Sequence, residues 1–417
     1  MRTRYSEDQQ AVAEAFGDLF AREATPEAVR AAEAGCGFDP GLWRKLAAAG
    51  APGMAVGVAD GGGGASLVDL AVVVHEWGRR LAPVPLVEHA VCARLLASAG
   101  GARELVVRRG VDDPDRPRVQ AGERIRHADH GFSDTPLVAA VASGDLIATL
   151  APGPVEPDGT SRLVPAGAVA DVVAARRGDH VVVARGRPPG AARPNTADLP
   201  LADRDLSGAE TVASGAAAAG AWDRAMAEWK ALMAVAYAGL AGEVLAMGVA
   251  YTKQRHQFGV PVGSFQAVQH GLADAATRSE GARLLAFRAV CAVDAGRADG
   301  ARLASMALLF GAESARFAAD RVLQYHGGYG YSAEYDVQLY YRRAAGWLLQ
   351  LGEPAAETAR LADADLGPKR PSGQAANRDT LRERPREAPW PQRPVSAANK
   401  SGGQARAARE RSEQERE

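Results

Sequence analysis

Apolar residues recur three or four positions apart through much of the first hundred residues. This spacing, typical of amphipathic helices, occurs within 5–23, 39–50 and 85–99. Ser66 and Asp69 form a capping-box pair directly before another such run, which predicts a helix that begins after Ser66. The pattern therefore predicts an N-terminal helical domain over residues 1–130.

The pattern changes in the middle of the chain. Between 131 and 213 the apolar residues form short runs such as PLVAAV, DLIATLA and HVVVARG, which proline and glycine interrupt. Short β-branched runs of this kind favour strands over helices. We therefore predict a small, shortened β domain over 131–213.

Helical spacing returns after residue 214 and continues over long stretches. It predicts helices over about 221–256, 264–295, 299–324 and 334–350, with Ser264 as the N-cap of the second. Four long helices joined by short connections form an antiparallel bundle, here over 214–366. Residues 367–417 are rich in Pro, Arg, Glu, Gln and Ser and have little to bury, so we predict a disordered tail. The predicted fold class is mainly α with a small central β domain.

Composition and charge exclude several classes of partner. The formal net charge is −1, so no overall field attracts nucleic acid. The longest apolar run in the N-terminal region, LVDLAVVV, is too short to span a bilayer. The three cysteines are far apart and odd in number, which argues against disulfides and against a zinc site. We expect a cytoplasmic protein without a metal site, a membrane span or a nucleic-acid partner.

The first stretch with candidate chemistry is YTKQRHQFGVPVGSFQAVQHGLAD, residues 251–274. Arg255 lies where one predicted helix ends, and Gln266 lies in the first turn of the next. A fixed cation beside unpaired helix N–H groups forms an anion site suited to a phosphate or pyrophosphate. The alternative is structural: Lys253, Arg255 and His256 would stabilise the helix C-terminus against its own dipole.

The second stretch is QYHGGYGYSAEYDVQLYYRR, residues 324–343, which carries a glycine pair and several tyrosines inside a helical region. A glycine pair lets the backbone approach a flat or charged ligand closely, because no Cβ intervenes. The same glycines are also compatible with a plain loop.

Together these two stretches resemble the C-terminal signatures of the acyl-CoA dehydrogenase family. LWRKLAAAGAPGMAVGVADGGGGASLVDLAVVVHEWGRRLAPVPLVEHAV resembles the family's N-terminal helical domain, and the resemblance covers about 10–365. It implies a helical domain, a β-barrel-like middle domain and a four-helix bundle. It also implies FAD as the cofactor, an acyl-CoA thioester as the substrate and α,β-desaturation as the reaction.

The resemblance assigns cofactor contacts residue by residue. Arg255 and Gln266 match positions that hold the FAD pyrophosphate and adenosine. A second segment matches one that contacts the same cofactor from a neighbouring subunit: Gln324, Tyr325, His326, Gly327 and Gly328. We therefore expect a homo-oligomer, or a hetero-oligomer with a second acyl-CoA dehydrogenase subunit.

The catalytic base departs from the family pattern. Desaturation requires a carboxylate that removes the α-proton, and a dry pocket suits a glutamate to this role. Leu351 occupies one family position for that glutamate, and Glu353 lies two residues further on. Trp229 occupies the second family position, beside Glu228. Glu353 and then Glu228 are the candidate bases, and for both the alternative is a solvated carboxylate at a helix end.

The flavin-facing part of the β domain is also incomplete. SRLVPAGAVAD aligns with the family's flavin-facing loop but lacks its tryptophan. The main prediction is an FAD-dependent acyl-CoA dehydrogenase. The first alternative is a non-catalytic partner subunit of a heteromeric acyl-CoA dehydrogenase that supplies FAD contacts and an interface. The second is a flavin monooxygenase or oxidase relative with the same fold.

Overall fold

The computed structural model describes residues 5–108, 134–352 and 354–366. The predicted tail over 367–417 and the candidate base Glu353 lie outside these residues. The N-terminal part consists of five helices: α1 (Glu7–Glu23), α2 (Pro26–Glu33), α3 (Pro40–Ala48), α4 (Leu67–Arg80) and α5 (Leu86–Ser98). The predicted capping box is present, because Ser66 Oγ accepts from the Asp69 amide and the Asp69 carboxylate accepts from the Ser66 amide.

The middle of the chain forms small sheets, as the runs DLIATLA and HVVVARG predicted. The strand predicted for PLVAAV was wrong, because Leu137–Ala142 forms a helix, and a short run of Leu, Val and Ala fits a buried helix as well as a strand. The strands are β1 (Val106–Arg108), β2 (Asp134–Pro136), β3 (Ala148–Ala151), β4 (Thr160–Val164), β5 (Val172–Arg177), β6 (His180–Arg185), β7 (Ala202–Asp205) and β8 (Glu210–Ser214). A four-stranded sheet has the order β3-β5-β6-β8, in which β3 and β5 are parallel and the other pairs antiparallel. Strands β1 and β2 pair antiparallel with each other, as do β4 and β7.

The C-terminal part is the predicted bundle. It consists of α7 (Gly215–Gln254), α8 (Gln266–Asp294), α9 (Gly300–His326) and α10 (Val337–Gly346), followed by α11 (Pro354–Leu366). A short helix, α6 (Leu137–Ala142), precedes the sheet, and a two-residue hairpin of β9 (His256–Gln257) and β10 (Val260–Pro261) joins α7 to α8.

Close contacts at glycines fix the directions of the bundle helices. A Cβ on Gly248 would meet Val322, and one on Gly311 would meet Ala234, so α7 and α9 run parallel. A Cβ on Gly271, near the start of α8, would meet the hydroxyl of Tyr325, near the end of α9. Helix α8 therefore runs antiparallel to α9. The C-terminal ends of α7 and α9 and the N-terminal end of α8 therefore lie together.

The N-terminal helices pack directly on this bundle. Helix α4 crosses α7 where a Cβ on Gly239 would lie 2.2 Å from the carbonyl oxygen of His75, and one on Gly78 2.3 Å from that of Ala236. Only glycine allows backbones this close. Helix α7 is long and apolar enough by composition to cross a membrane, but 67% of its most apolar window is buried inside the protein, as in the core helix of a globular protein.

Two arginines at the end of the tyrosine-rich stretch hold parts of the chain together. Arg342 pairs with Glu33 of α2 at 2.7 Å and with Asp198, in the loop before β7. Arg343 is buried and lies 3.3 Å from the same Glu33 carboxylate. Burial lowers the pKa of Arg343 to about 10, although the Glu33 carboxylate opposes that shift. These arginines therefore have a structural role.

Three local predictions were wrong or incomplete. Ser264 is not the N-cap of α8, because the chain forms a 3-10 turn there and the Ser264 hydroxyl donates to the carbonyl of Pro261. Helix α8 instead begins after Phe265, which provides no side-chain cap. Helices α2 and α6 were not predicted, although Thr25 caps α2 and Pro26 occupies its first position. The domain boundaries at 130, 213 and 366 stay predictions.

Candidate functional site

The turn between α7 and α8 presents positive charge at an exposed surface. Arg255 ends α7 and its carbonyl accepts from the Val262 amide at 2.7 Å, which closes the hairpin. The Arg255 and Gln266 side chains are both exposed. Gln266 is the first residue of α8, so the first amides of that helix lie beside the turn. An exposed guanidinium, which no other described residue pairs with, and a helix N-terminus thus flank the same turn, and their use as an anion site stays a prediction.

The glycine pair directly follows the C-terminal end of α9 and is exposed to solvent. Gly327 has φ +62° and ψ −142°, a backbone conformation that residues with a Cβ rarely adopt. A Cβ built on Gly327 or Gly328 would meet no heavy atom within 4 Å, and both residues are exposed. The backbone conformation thus favours glycine at position 327, crowding requires glycine at neither position, and the surface in front of the pair is open to a ligand.

The side chains before the glycine pair differ in exposure. Gln324 is exposed and Tyr325 is half-buried, with its hydroxyl over Gly271 of α8. His326 is buried and stacks on Tyr251 of α7 with ring centroids 3.8 Å apart. Its Nδ1 donates to the Val322 carbonyl at 2.8 Å, and burial lowers the pKa of the ring, so His326 is neutral. The His326 ring therefore holds α7 and α9 together behind the exposed glycines.

The helix directions bring both sequence motifs to one end of one bundle. One chain therefore carries this segment, Arg255 and Gln266 at the same end of its bundle, and the expectation that the glycine segment reaches the cofactor of a neighbouring subunit stays a prediction. The basic group, the helix N-terminus and the uncovered glycine backbone fit the adenine and pyrophosphate half of FAD. The chemistry of this end is complementary to a dianionic, planar ligand.

A buried arginine, Arg204, fixes the backbone of the loop at 161–171, which aligns with the family's flavin-facing loop. Arg204 donates to the carbonyl oxygens of Gly167, at 2.9 Å, and Ala170, at 2.5 Å. Thr149 donates to the Pro165 carbonyl at 2.6 Å. Although this loop lacks the family's tryptophan, its backbone is fixed by these hydrogen bonds.

Glu228, the second candidate base, is buried, and both of its carboxylate oxygens accept hydrogen bonds. Arg94 of α5 donates from Nε to one carboxylate oxygen of Glu228 and from Nη2 to the other, each at 2.9 Å. Arg94 also donates to the carbonyl of Ala55. If Glu228 took up a proton, this ion pair would be lost and the Arg94 guanidinium would be left without its counter-charge, so the bidentate pairing disfavours Glu228 as the base. The sequence did not indicate Arg94, which lies 134 residues away.

A pocket of about 210 Å³ lies directly over this ion pair, between α5, α7 and the segment before α4. Alanine and glycine form nearly half of its lining: Ala55, Gly57, Ala97, Ala221 and Ala225. Arg94 and Glu228 lie in its lining, and Arg224, which is exposed, adds a second guanidinium.

A second, smaller pocket of about 30 Å³ lies where α4, α5, the β domain and the end of the bundle meet. Its lining includes Glu88, Ala166 of the flavin-facing loop and Gln350, the residue before the family's base position at Leu351. Glu88 is buried, and burial raises the pKa of its carboxyl to about 7. The isolated sequence gave no sign of Glu88, because its burial depends on four separate segments.

Two parts of the chain match models of one protein family. Residues 6–103 match the family model "Acyl-CoA dehydrogenase, N-terminal domain" and residues 221–352 match "Acyl-CoA dehydrogenase, C-terminal domain". The chain is 30% identical to acyl-CoA dehydrogenase IpdE2 of Mycolicibacterium smegmatis, over 85% of this chain and 98% of that protein. It is 33% identical to acyl-CoA dehydrogenase FadE34 of Mycobacterium tuberculosis, over 74% of this chain and 41% of that protein.

Solved structures show the same fold. A variant of the Tcur3481-Tcur3483 steroid ACAD has a TM-score of 0.72 and 27% identity, covering 86% of this chain and 98% of that one. The ChsE4-ChsE5 complex of Mycobacterium tuberculosis has a TM-score of 0.71 and 25% identity, covering 88% of this chain and 100% of that one. The predicted fold class is confirmed, and the chain belongs to the acyl-CoA dehydrogenase family.

Proposed function

We propose that this chain desaturates the α,β bond of an acyl-CoA thioester whose acyl group enters the pocket between α5 and α7. Membership of the family supports the reaction class and FAD as the cofactor, and it does not favour a non-catalytic partner subunit. The observation that carries the proposal is the meeting of Arg255, the α8 N-terminus and the open Gly327–Gly328 backbone at one end of the bundle.

Each part of this end has a distinct role in the proposal. Arg255 and the first amides of α8 neutralise the pyrophosphate, with Gln266 as a hydrogen-bonding partner of the adenosine. The Gln324–Gly328 segment lets the adenosine lie against the backbone. FAD, once bound, supplies the acceptor for the hydride that leaves the β-carbon.

Removal of the α-proton requires an unpaired carboxylate. Because Arg94 engages both oxygens of Glu228, we propose Glu353 as the base and Glu228 as part of the substrate pocket. Glu353→Gln is expected to abolish turnover while FAD stays bound. Loss of turnover in Glu228→Gln but not in Glu353→Gln, with both variants folded and loaded with FAD, would reverse this assignment.

FAD affinity tests the proposed cofactor site directly. Arg255→Gln removes a charge-assisted contact to the pyrophosphate, so the FAD dissociation constant is expected to rise about tenfold or more. The matched control is Arg316→Gln, which removes another exposed arginine, on α9. Equal FAD affinity in both variants would contradict the site.

The glycine pair has its own matched control. Gly327→Ala is expected to weaken FAD binding, because the methyl group enters the free surface in front of the backbone. Gly296 also has φ near +61° and open space around its Cβ position, but it lies in the α8–α9 turn at the other end of the bundle. If Gly296→Ala weakens FAD binding as much as Gly327→Ala does, the effect is general backbone strain and not a lost cofactor contact.

The same end of the bundle supports assembly with a second acyl-CoA dehydrogenase subunit or with a second copy. Phe258 at the hairpin tip is 93% exposed, and Tyr329 and Tyr331 are also exposed. Exposed aromatic side chains this close together are typical of interfaces. The ChsE4-ChsE5 structure is a complex of two such chains. Phe258→Ser is expected to lower the assembly mass measured by light scattering, and an unchanged mass would argue against this interface.

The substrate class is suggested by one structural relative. The likeness to a steroid ACAD supports a ring-bearing acyl group as substrate.

The cysteines bear on the location of the protein. Cys36, Cys92 and Cys291 are all unpaired, which supports a reducing, cytoplasmic location.

A further inference from the structure

The lining of the pocket between α5 and α7 combines a charged pair, Arg94 and Glu228, with small and apolar residues and with Arg224. Glu228 is only 4% exposed, and its pairing with Arg94 is bidentate at 2.9 Å for both contacts. The pocket over that pair has a volume of about 210 Å³.

The position of this pocket along α5 indicates that it would hold the end of the acyl group that is remote from the thioester. Glu88, in the small pocket beside Gln350, and Leu95, in the lining of the larger pocket, are seven residues apart on α5. Seven residues are almost two full turns, so both side chains project from the same face, roughly 10 Å apart along the axis. With the thioester placed near Gln350, an acyl group that extends by roughly 10 Å along α5 would end at the larger pocket.

The ion pair keeps unused hydrogen-bonding capacity toward the pocket. A carboxylate offers about four acceptor sites, and among the described residues only Arg94 donates to Glu228, with two hydrogen bonds. Ser98 donates to the Leu95 carbonyl at 2.8 Å, so its oxygen can still accept. Arg224 adds free guanidinium donors. A plain alkyl chain would remove water from these groups and give no hydrogen bond in return.

We propose that this pocket selects acyl groups that carry a hydroxyl or keto oxygen at the end remote from the thioester, over plain alkyl chains of the same length. A ligand hydroxyl donates to the Glu228 carboxylate and accepts from Arg224, whereas a keto oxygen accepts from Arg224. The inference rests on the proposed function, because it assumes that the acyl group of the substrate occupies this pocket.

The test compares three thioesters by calorimetry on the FAD-loaded protein: butanoyl-CoA, octanoyl-CoA and 8-hydroxyoctanoyl-CoA. Butanoyl-CoA is too short to reach the ion pair. The wild-type protein is expected to bind 8-hydroxyoctanoyl-CoA about tenfold more tightly than octanoyl-CoA. Equal or weaker binding of the hydroxylated thioester would overturn the inference. Failure to bind any of the three would instead contradict the proposed function.

A double variant shows whether the ion pair is the cause. Glu228→Gln alone leaves the half-buried Arg94 without a counter-charge and can destabilise the fold, whereas Arg94→Met combined with Glu228→Leu replaces the pair by apolar side chains of similar size. This double variant is expected to lose or reverse the preference for the hydroxylated thioester. An unchanged preference would overturn the inference.

A filling variant tests the location. Ala221→Leu narrows the pocket and is expected to weaken binding of both eight-carbon thioesters. The control is Ala217→Leu, on the same helix and exposed outside the pocket. Equal effects of the two substitutions would place the acyl end elsewhere and contradict the inference.

Discussion

Glu88 makes the stability of this protein depend on pH in an unusual direction. The carboxyl is buried, and its pKa is raised from 4.5 to about 7 because burial disfavours the charged form. Arg343 also borders the same pocket, but its guanidinium is paired with Glu33, which is not part of the pocket lining. In the unfolded chain Glu88 loses its proton near pH 4.5, and in the folded chain only near pH 7.

The sign of the effect follows from linkage. Between about pH 4.5 and 7 the folded state holds a proton that the unfolded state has lost, so folding becomes less favourable as the pH rises. A difference of about 2.5 pK units corresponds to about 3 kcal/mol of destabilisation at pH 8, and to about 1 kcal/mol at pH 5.5. Below pH 4.5 the penalty disappears.

Glu88→Gln removes the ionisable group while it keeps the shape of the side chain. The variant is expected to gain about 2 kcal/mol of stability relative to wild type when the pH is raised from 5.5 to 8. Denaturant unfolding of both proteins at each pH measures this change, with Glu104→Gln as a control at an exposed carboxylate. A difference between variant and wild type that stays constant with pH would refute the reasoning.

Two further predictions concern packing and buried charge, and both are measured by the free energy of unfolding. Gly239→Ala places a methyl group 2.2 Å from a carbonyl oxygen of α4, so we expect a loss of about 2–3 kcal/mol, whereas Gly242→Ala on the open face of α7 should add about 0.5–1 kcal/mol. Glu33→Ala leaves the buried Arg343 without its counter-ion and should cost about 3 kcal/mol, whereas Glu313→Ala breaks an exposed pair and should cost less than about 1 kcal/mol. Similar losses within either pair of variants would contradict the corresponding argument.

Local sequence signals predicted most helices and the order of the parts. The Ser66–Asp69 capping box marked the start of α4 correctly, because both partners lie within one helical turn. Ser264 was a wrong cap, because a capping side chain competes with the turn geometry around Pro261, which sequence spacing does not reveal.

The site was harder to predict because its parts come from distant segments. The motif around Arg255 and the glycine pair at Gly327 carried local signals of charge and backbone freedom. The ion pair that engages Glu228 required Arg94 of another helix, and the raised pKa of Glu88 required burial by four segments. Neither has a signature in the residues next to it.

The reaction itself is tested most directly by anaerobic titration of the FAD-loaded protein with an acyl-CoA thioester, performed on the chain alone and on any assembly that contains it. The account predicts that the visible absorbance of the flavin decreases as thioester is added. It also predicts an enoyl-CoA product two hydrogens lighter by mass spectrometry. Bound flavin and bound thioester with unchanged absorbance and unchanged thioester mass, in every assembly, would contradict it.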